Sequence, residues 1–327
     1  MTAVDLVTGG GGFIGCHVVR ALQASGGRVR VLDIDCRRGF GPDVEVINGS
    51  ILDPDALAAA CAGVRHVYHL AAIAHLWLAD PGAYERVNHQ GTRAVLRAAA
   101  DAGAEKIIVT SSETILRGWN NPDPAPINEA EPRPAMADMA GAYDRSKWLA
   151  DEAARQAAAA GMPVISLYPT VPVGPGDVHF TAPTRMIEAF LQGQAPAYYD
   201  CLLNLAGVED LAQGHLLAAQ QAPAGSRYIL AGENLWMRDI LALLAGLTGQ
   251  AMPHRQVPYW LAALSAHGAE WWANHVSKRT PLANVTGVRL TRHPRRIDGG
   301  LAIRELGYRP GPARDALAQA IAWLNGQ

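Results

Sequence analysis

The strongest constraint on this chain is a run of glycines near its start, between an apolar stretch and a helical one. Residues 4–7 predict a strand, residues 14–24 predict a helix, and residues 8–15 read Thr-Gly-Gly-Gly-Gly-Phe-Ile-Gly. Glycine permits the tight turn, the close approach of backbone to a pyrophosphate, and the packing of helix on strand that a dinucleotide site needs. The helix start adds N–H donors and the positive end of its dipole. The pattern predicts a dinucleotide site built on Gly9, Gly12 and Gly15.

An acidic residue stands where such a site needs one. Asp33 ends the second predicted strand, 18 residues beyond Gly15, where its carboxylate can accept both hydroxyls of a ribose. Its charge would repel a 2′-phosphate, which favours NAD. Arg37 and Arg38 follow within reach and would bind that phosphate instead, so NADP stays open.

Strands and helices alternate through the first half of the chain. The predicted strands are residues 4–7, 28–34, 64–70, 106–111 and 164–167, and the predicted helices are 14–24, 55–61, 84–102 and 143–160. This alternation produces a parallel sheet covered by helices on both faces, with right-handed crossovers. The expected fold is α/β, a Rossmann-type doubly wound parallel sheet.

The sequence changes in character after Pro169. A Pro/Gly-rich loop at residues 170–177 leads into short helices, and residues 227–230 read as one further strand. The predicted division is an NAD(P)-binding domain at residues 1–170, to which 202–231 returns, and a smaller, mostly helical substrate lobe at 171–201 and 232–327.

Composition excludes several classes of protein. The 327 residues carry 28 Lys and Arg against 30 Asp and Glu, a net charge of −2, which excludes nucleic-acid binding by bulk charge. The four cysteines show neither a C-x-x-C pair nor metal-ligand spacing, so we expect no metal and a reduced, cytoplasmic location. We find no basic leader and no long apolar run, and expect neither secretion nor a transmembrane segment.

Further motifs complete a pattern that resembles the extended short-chain dehydrogenase/reductases. Besides the glycine loop they lie at residues 69–72, 88–92, 110–112, 143–147 and 174–177. A closer resemblance, to hopanoid-associated sugar epimerases and the similar dihydroflavonol reductases, is carried by residues 196–198, 203–205, 214–218, 227–230, 232–235 and 304–310. The glycine loop and the resemblance together imply cofactor contacts at Gly9, Gly12, Phe13, Ile14, Gly15, Asp33, Arg37, Ile51, Leu70, Ala71, Ala72, Asn88, Tyr143, Lys147 and Pro169.

Tyr143 and Lys147 lie four residues apart on a predicted helix and so share one face. A phenol with a reference pKa of about 10 is a poor acid or base at neutral pH, but a nearby ammonium stabilises the phenolate and lowers that pKa. Ser112 follows the strand 106–111, at the edge of a parallel sheet where ligands bind. We predict that Ser112 holds the substrate oxygen, Tyr143 moves the proton and Lys147 bonds the nicotinamide ribose.

Glu113 follows Ser112 directly. In the sugar dehydratases of the resembled superfamily an Asp-Glu pair occupies the two positions after the serine, whereas here they are Glu113 and Thr114. The second acid is missing, which argues against dehydration. Glu113 is a candidate substrate contact, with a solvated loop carboxylate as the alternative.

The second lobe lacks charged residues that nucleotide-sugar members of the superfamily carry. Tyr168 and Val171 replace an Arg and an Asn at the crossover into this lobe, and Leu203 replaces a further Arg. Each loss removes a polar contact to a diphosphate, the arginines a charge-assisted one. We expect a neutral or lipid-linked substrate, with Val171, Leu203 and Asn204 as candidate contacts.

Residues 257–276 are rich in apolar and aromatic side chains. The members that would share one face are Tyr259, Trp260, Leu264, Trp271 and Trp272. We prefer core packing of the second lobe as the interpretation; a hydrophobic substrate entrance or a peripheral contact with a bilayer is the alternative. Few Lys or Arg flank the stretch, which weakens the membrane alternative.

The expected function is hydride transfer between NAD(P) and a secondary alcohol/ketone pair of a sugar-like or lipid-linked substrate, a hopanoid among them. The sequence leaves open whether the net reaction is oxidation, reduction or epimerisation. A sugar-nucleotide epimerase and a non-catalytic NAD(P)-binding regulator are the alternatives, and the presence of both Tyr143 and Lys147 argues against the regulator. Ala-rich helices at residues 85–102 and 143–160, which pair with their twins in the resembled superfamily, predict a homodimer.

Overall fold

The computed structural model describes residues 4–36, 39–194, 196–281 and 283–327. Its strands, in chain order, are β1 Val4–Thr8, β2 Arg28–Asp33, β3 Val44–Asn48, β4 Val64–His69, β5 Lys106–Thr110, β6 Val164–Pro169, β7 Val171–Val173, β8 Ala197–Tyr199, β9 Leu202–Gly207, β10 Arg227–Leu230, β11 Glu233–Trp236 and β12 Arg255–Val257. Seven of them form a parallel sheet in the order β3-β2-β1-β4-β5-β6-β10. The predicted Rossmann-type α/β fold is confirmed.

Helices cover this sheet and build most of the second lobe. They are α1 Phe13–Ala24, α2 Pro54–Cys61, α3 Gly82–Tyr84, α4 Gly91–Asp101, α5 Ala142–Ala159, α6 Ala182–Leu191, α7 Val208–Gln221, α8 Met237–Thr248, α9 Tyr259–Trp272, α10 Val285–Leu290, α11 Gly300–Leu306 and α12 Ala313–Asn325. A π-helical turn at Glu85–Gln90 joins α3 to α4, and a second at Ala273–Ser277 extends α9; 3₁₀ turns occupy Glu113–Leu116 and Met136–Asp138. The single helix predicted at residues 84–102 is therefore interrupted by a π turn.

The core lies on both faces of the sheet. Successive strand residues point to opposite faces, so Val7 joins a cluster with α1 and α7, while Leu6 joins one with α2, α4 and α5. All five residues of β1 are buried. Double-sided burial explains why the central strands read as continuous apolar runs, and it holds their carboxyl ends in one row.

The second lobe contains more sheet than predicted. β7 lies inside the expected loop 170–177 and pairs with β9, which also pairs with β11. The expectation that all of residues 202–231 return to the first domain is wrong for β9, because its partners belong to the second lobe. By contrast, α7 packs on α1, and β10 pairs with β6 in the seven-stranded sheet.

Most side chains of residues 257–276 are not buried in a core. Only Ala266 and Ala273 of α9 and its π-helical extension are buried, whereas Trp260, Trp271 and Trp272 are exposed. The preferred interpretation of core packing is thus wrong for these tryptophans. Across the described ranges no helix is long and apolar enough to cross a bilayer.

Candidate active site

The glycine loop joins β1 to α1, and its three predicted glycines meet different demands. Gly9 has a φ of +75°, and a Cβ there would lie 2.5 Å from the backbone nitrogen of Ala71. A Cβ on Gly15 would lie 2.0 Å from the Gly9 carbonyl oxygen, so α1 packs on the loop only with glycine here. Around Gly12 the Gly9 carbonyl oxygen, at 3.1 Å, is the sole described atom within 4 Å of an added Cβ. Gly12 therefore borders open space where a pyrophosphate would fit.

The start of α1 offers hydrogen-bond donors to a ligand. Gly12 is its N-cap, and no side chain of the described residues caps this end. First-turn N–H groups that lack a protein partner are suited to phosphate. Phe13 is buried and Ile14 packs against the core, so both predicted contacts would reach a cofactor through backbone atoms.

Asp33 lies beside the glycine loop, as predicted. Its Oδ2 accepts a hydrogen bond from the Gly11 amide at 2.8 Å, and its Oδ1 accepts one from the Asp35 amide at 3.0 Å. The carboxylate is thereby fixed at the end of β2 with lone pairs left for a ribose. Arg37, the competing contact, lies outside the described residues.

The end of β4 is held by a neutral histidine. Thr92 donates its hydroxyl to the Asn88 carbonyl at 2.6 Å, so it accepts from His69 Nε2 at 2.9 Å; Thr8 then donates to His69 Nδ1 at 2.8 Å. Burial, with the charge of Lys147 second, lowers the pKa of His69 to about 3. The neutral imidazole ties β1 to α4 and positions Leu70, Ala71 and Ala72.

Three predicted cofactor contacts have clear packing roles. Asn88 is buried; its Oδ1 accepts from the Ile73 amide at 2.7 Å, and its Nδ2 donates to the Ile73 carbonyl and to Ser146 Oγ at 3.1 and 2.9 Å. Ile51 is buried against Gly91, where an added Cβ would lie 2.5 Å from Ile51 Cδ1. Pro169 is the last residue of β6 and pairs with Leu230. The side-chain amide of Asn88 thus holds the loop after β4 in place and is not free to bind a cofactor.

Ser112 and Tyr143 come together beyond the end of β5. Ser112 opens the 3₁₀ turn at Glu113–Leu116 and hydrogen-bonds Thr114 Oγ1 at 3.0 Å. Tyr143 stands in the first turn of α5 and packs edge-on against Tyr84, with ring centroids 6.1 Å apart. Burial raises the pKa of Tyr143, and a hydrogen bond with Ser112 opposes that rise.

Lys147 lies one turn along α5 from Tyr143 and is also buried. Its Nζ donates to the Thr110 carbonyl at 2.9 Å. Burial lowers the pKa of Lys147 to about 8, against the opposing charge of Asp151. The sequence predicted that this ammonium lowers the pKa of Tyr143, but among the described groups Ser112 is the one that does so.

Glu113 is neither solvated nor free. Its Oε2 accepts a 2.6 Å hydrogen bond from Arg117 Nε, and both side chains are buried. The solvated alternative is wrong, and the buried ion pair leaves Glu113 poorly suited to contact a substrate hydroxyl. The two residues stand four apart in the sequence, a signal that could have been read there, although they bracket a 3₁₀ turn and not an α-helix.

Sequence reasoning also missed Asp144, the neighbour of Tyr143. This carboxyl is completely buried. Burial, reinforced by the charge of Glu113, raises the pKa of Asp144 to about 7. The carboxyl group therefore exchanges its proton near neutral pH beside the predicted proton-transferring phenol.

These elements are typical of an enzyme that binds a dinucleotide cofactor. A match to a family model identifies the family to which the chain belongs. Residues 6–231 match the model of the NAD dependent epimerase/dehydratase family. The chain belongs to this family. It is an NAD-dependent enzyme of the extended short-chain dehydrogenase/reductase type, which confirms the sequence-based resemblance.

Relatives and solved structures of the family cover nearly the whole chain. A putative dihydroflavonol 4-reductase of Synechocystis sp. is 34% identical over 97% of this chain and 93% of its own length. Sterol demethylase protein B of Methylococcus capsulatus is 31% identical over 98% and 97%. The crystal structure of gox2253 has a TM-score of 0.85 at 34% identity and covers 99% of this chain and 98% of the other.

Three residues that were predicted to contact the substrate lie on β7 and β9. Two of them are half-buried, and the amide group of the third is hydrogen-bonded within the protein. Val171 and Leu203 pack against the core of the second lobe. Asn204 is completely buried; its Oδ1 accepts from the Gly232 amide at 2.7 Å, and its Nδ2 donates to the Gly232 carbonyl at 3.2 Å. The prediction of Asn204 as a substrate contact is therefore wrong, because both ends of its amide hold β9 to the turn before β11.

Proposed function

We propose that this enzyme transfers hydride between NAD and a secondary alcohol or ketone of an apolar, lipid-like substrate, as a net dehydrogenase or reductase. The supporting observation is that α5, which carries Tyr143 in its first turn and Lys147 one turn later, packs against the 3₁₀ turn that Ser112 opens beyond β5. The glycine loop follows β1 at the same edge of the parallel sheet. A cofactor bound along that edge would lie beside the hydroxyl pair.

NAD supplies the hydride acceptor when it is bound. In the oxidation direction Ser112 would orient the substrate hydroxyl, and Tyr143, ionised to the phenolate beside the Lys147 ammonium, would accept its proton. In reduction the neutral Tyr143 phenol would donate its proton to the substrate oxygen. The Lys147 ammonium has three N–H donors, of which the Thr110 carbonyl takes one at 2.9 Å. The other two N–H donors are available to ribose hydroxyls. A Lys147 ammonium held in this way would also place a positive charge near the phenol of Tyr143.

An apolar substrate is supported by the chemistry of the second lobe. Leu203 stands where nucleotide-sugar members carry a cation, and the completely buried Asn204 holds Gly232 with both ends of its amide. Partly buried Val171, Tyr198 and Leu235 extend the apolar surface of the lobe. One relative carries the name sterol demethylase protein B. We infer a rigid polycyclic lipid of sterol or hopanoid size as the substrate class.

The closing experiment follows NADH absorbance with a 3-oxo sterol in cyclodextrin and, separately, with UDP-glucose. We expect net NADH consumption with the sterol only. Inversion of a nucleotide sugar without net NADH change would instead establish sugar-nucleotide epimerisation and overturn the substrate class.

The proton-transfer role has a matched pair of variants. Tyr143→Phe should lose turnover by about 10²- to 10⁴-fold while NAD affinity stays nearly constant. Tyr84→Phe removes a neighbouring hydroxyl that donates to the His75 carbonyl and should keep turnover within a factor of a few. Retention of more than a tenth of wild-type turnover by Tyr143→Phe, with chemistry rate-limiting, would overturn the role of Tyr143.

A further inference from the structure

The second lobe carries an apolar surface that the rest of the chain leaves uncovered. We call it the aromatic face; its members are Trp260, Leu264, Trp271, Trp272 and Val276, each between 51% and 65% exposed. The spacings of four and seven residues from Trp260 through Leu264 to Trp271 place them on one side of α9. The opposite side of the helix holds buried Ala266 and Ala273. Three exposed tryptophans on one helix leave more apolar surface uncovered than scattered single residues do, and large exposed apolar surfaces mark interaction sites.

Cations outnumber acidic residues in the part of the sequence that carries the aromatic face. Glu270 is the only acidic residue in the sequence between Asp239 and Asp298, and that stretch holds seven Lys and Arg. Glu270 is only partly exposed, and its Oε1 accepts from the Val285 amide at 2.6 Å. Arg255, Lys278 and Arg279 are exposed. These three exposed cations flank residues 257–276 in the sequence, and in a chain of net charge −2 they make this region locally cationic.

We propose that the aromatic face docks on an anionic bilayer surface. Tryptophan is suited to the boundary between headgroups and acyl chains, because its ring is apolar and its N–H is polar. Lys and Arg beside such a face add attraction to anionic headgroups. A second copy of this chain is a poor occupant, since a symmetric contact would bring the two cationic rims together.

The inner side of the same segment reaches the active site. Asn274, in the π turn after α9, accepts a 3.1 Å hydrogen bond from Trp77 Nε1 in the loop that follows β4. Glu270 is close enough to contribute to the raised pKa of Tyr84, whose ring packs on Tyr143. A docked enzyme would therefore hold its active site close to the bilayer. The inference that a docked enzyme receives its lipid substrate directly from the bilayer rests on the proposed function, whereas the docking itself does not.

The test is cosedimentation of the full-length protein with vesicles of phosphatidylcholine alone and with a third phosphatidylglycerol. We expect at least tenfold tighter binding to the anionic vesicles, accompanied by a blue shift of tryptophan fluorescence. Trp271→Ser/Trp272→Ser should lose at least tenfold of that affinity. Ile303→Ser, which removes an apolar side chain exposed on α11, is the matched control and should bind like wild type.

A second pair of variants separates charge from apolar contact. Lys278→Glu/Arg279→Glu should abolish the preference for anionic vesicles, and Arg304→Glu/Arg314→Glu, exposed on α11 and α12, should keep it. Absence of binding to either vesicle, or full binding by the tryptophan variant, would overturn the proposal. So would a loss of dimer mass on light scattering in the tryptophan variant, because the face would then be a subunit contact. No substrate is needed, so failure here leaves the proposed function to its own test.

Discussion

Arg117 Nε donates to Glu113 Oε2 at 2.6 Å inside the protein, and Glu113 directly follows Ser112, the serine beside Tyr143. Both side chains are under 10% exposed. Removing one partner of a buried ion pair leaves the other charge without compensation, at a cost of about 3 kcal/mol or more. Glu113→Gln should therefore lower the free energy of unfolding by about that amount in urea titration. The double variant Glu113→Gln/Arg117→Met should recover part of the loss; a single variant as stable as wild type would show that the pair contributes nothing.

We predict that Asp33 controls the choice between NAD and NADP through its charge. Asp33→Asn keeps an oxygen to accept from the Gly11 amide but removes the charge that binds ribose hydroxyls and repels a 2′-phosphate. NAD affinity should fall about tenfold or more, and NADP affinity should rise relative to it, measured by fluorescence titration. Asp43→Asn, exposed before β3, removes the same charge and should change neither. A wild type that prefers NADP tenfold would contradict this assignment.

Asp144 makes folding stability depend on pH. Burial raises the pKa of Asp144 from its ordinary value of 3.8 to about 7, so between these pH values the folded state holds a proton that the unfolded state has released. Stability contributed by this group is present below about pH 4 and is lost as the pH rises towards 7. Asp144→Asn lacks this loss and should become more stable than wild type by a few kcal/mol between pH 4 and pH 8.

Urea titrations at several pH values test this difference. The control is Asp101→Asn, an exposed carboxylate at the end of α4, whose difference from wild type should stay constant with pH. A constant difference for Asp144→Asn as well would mean that the buried carboxyl is ionised throughout.

The predicted homodimer can be broken on α5. Ala153 lies half-buried on this helix beside the alanine-rich α4, where a partner helix could approach closely. Ala153→Arg should convert the dimer to a monomer on light scattering at micromolar concentration. Gln213→Arg, at an exposed position on α7, which covers the opposite face of the sheet from α5, should leave the mass unchanged. A wild-type monomer would refute the dimer itself.

Local signals explain what the sequence predicted well. The fold followed from strand–helix alternation, and the glycine loop was legible because steric demands at Gly9 and Gly15 permit no other residue. β3 was missed because it lies at the edge of the sheet with mostly exposed or half-exposed residues, which weakens its apolar signal.

The errors in the second lobe arise from long-range pairing and from burial. Asn204 is bound by Gly232, 28 residues away, and no local pattern reveals such a partner. The tryptophans of α9 carry the same apolar signal whether they face a core or a surface, so only the packing of the helix decides between them. The Glu113–Arg117 pair was visible as an i,i+4 spacing, but its burial was not.

The position of β10 beside β6 has a consequence for synthesis of the chain. β6 ends at Pro169, and its parallel partner begins at Arg227, after the chain has already built part of the second lobe. At about 5–20 residues per second, the ribosome needs roughly 3 to 12 seconds to supply the strand that covers this edge. During that interval β6 presents unpaired N–H and C=O groups, the kind of edge on which nascent chains associate with one another. The sheet is therefore complete only after the synthesis of β10, which follows most of the helices that cover the sheet in the sequence.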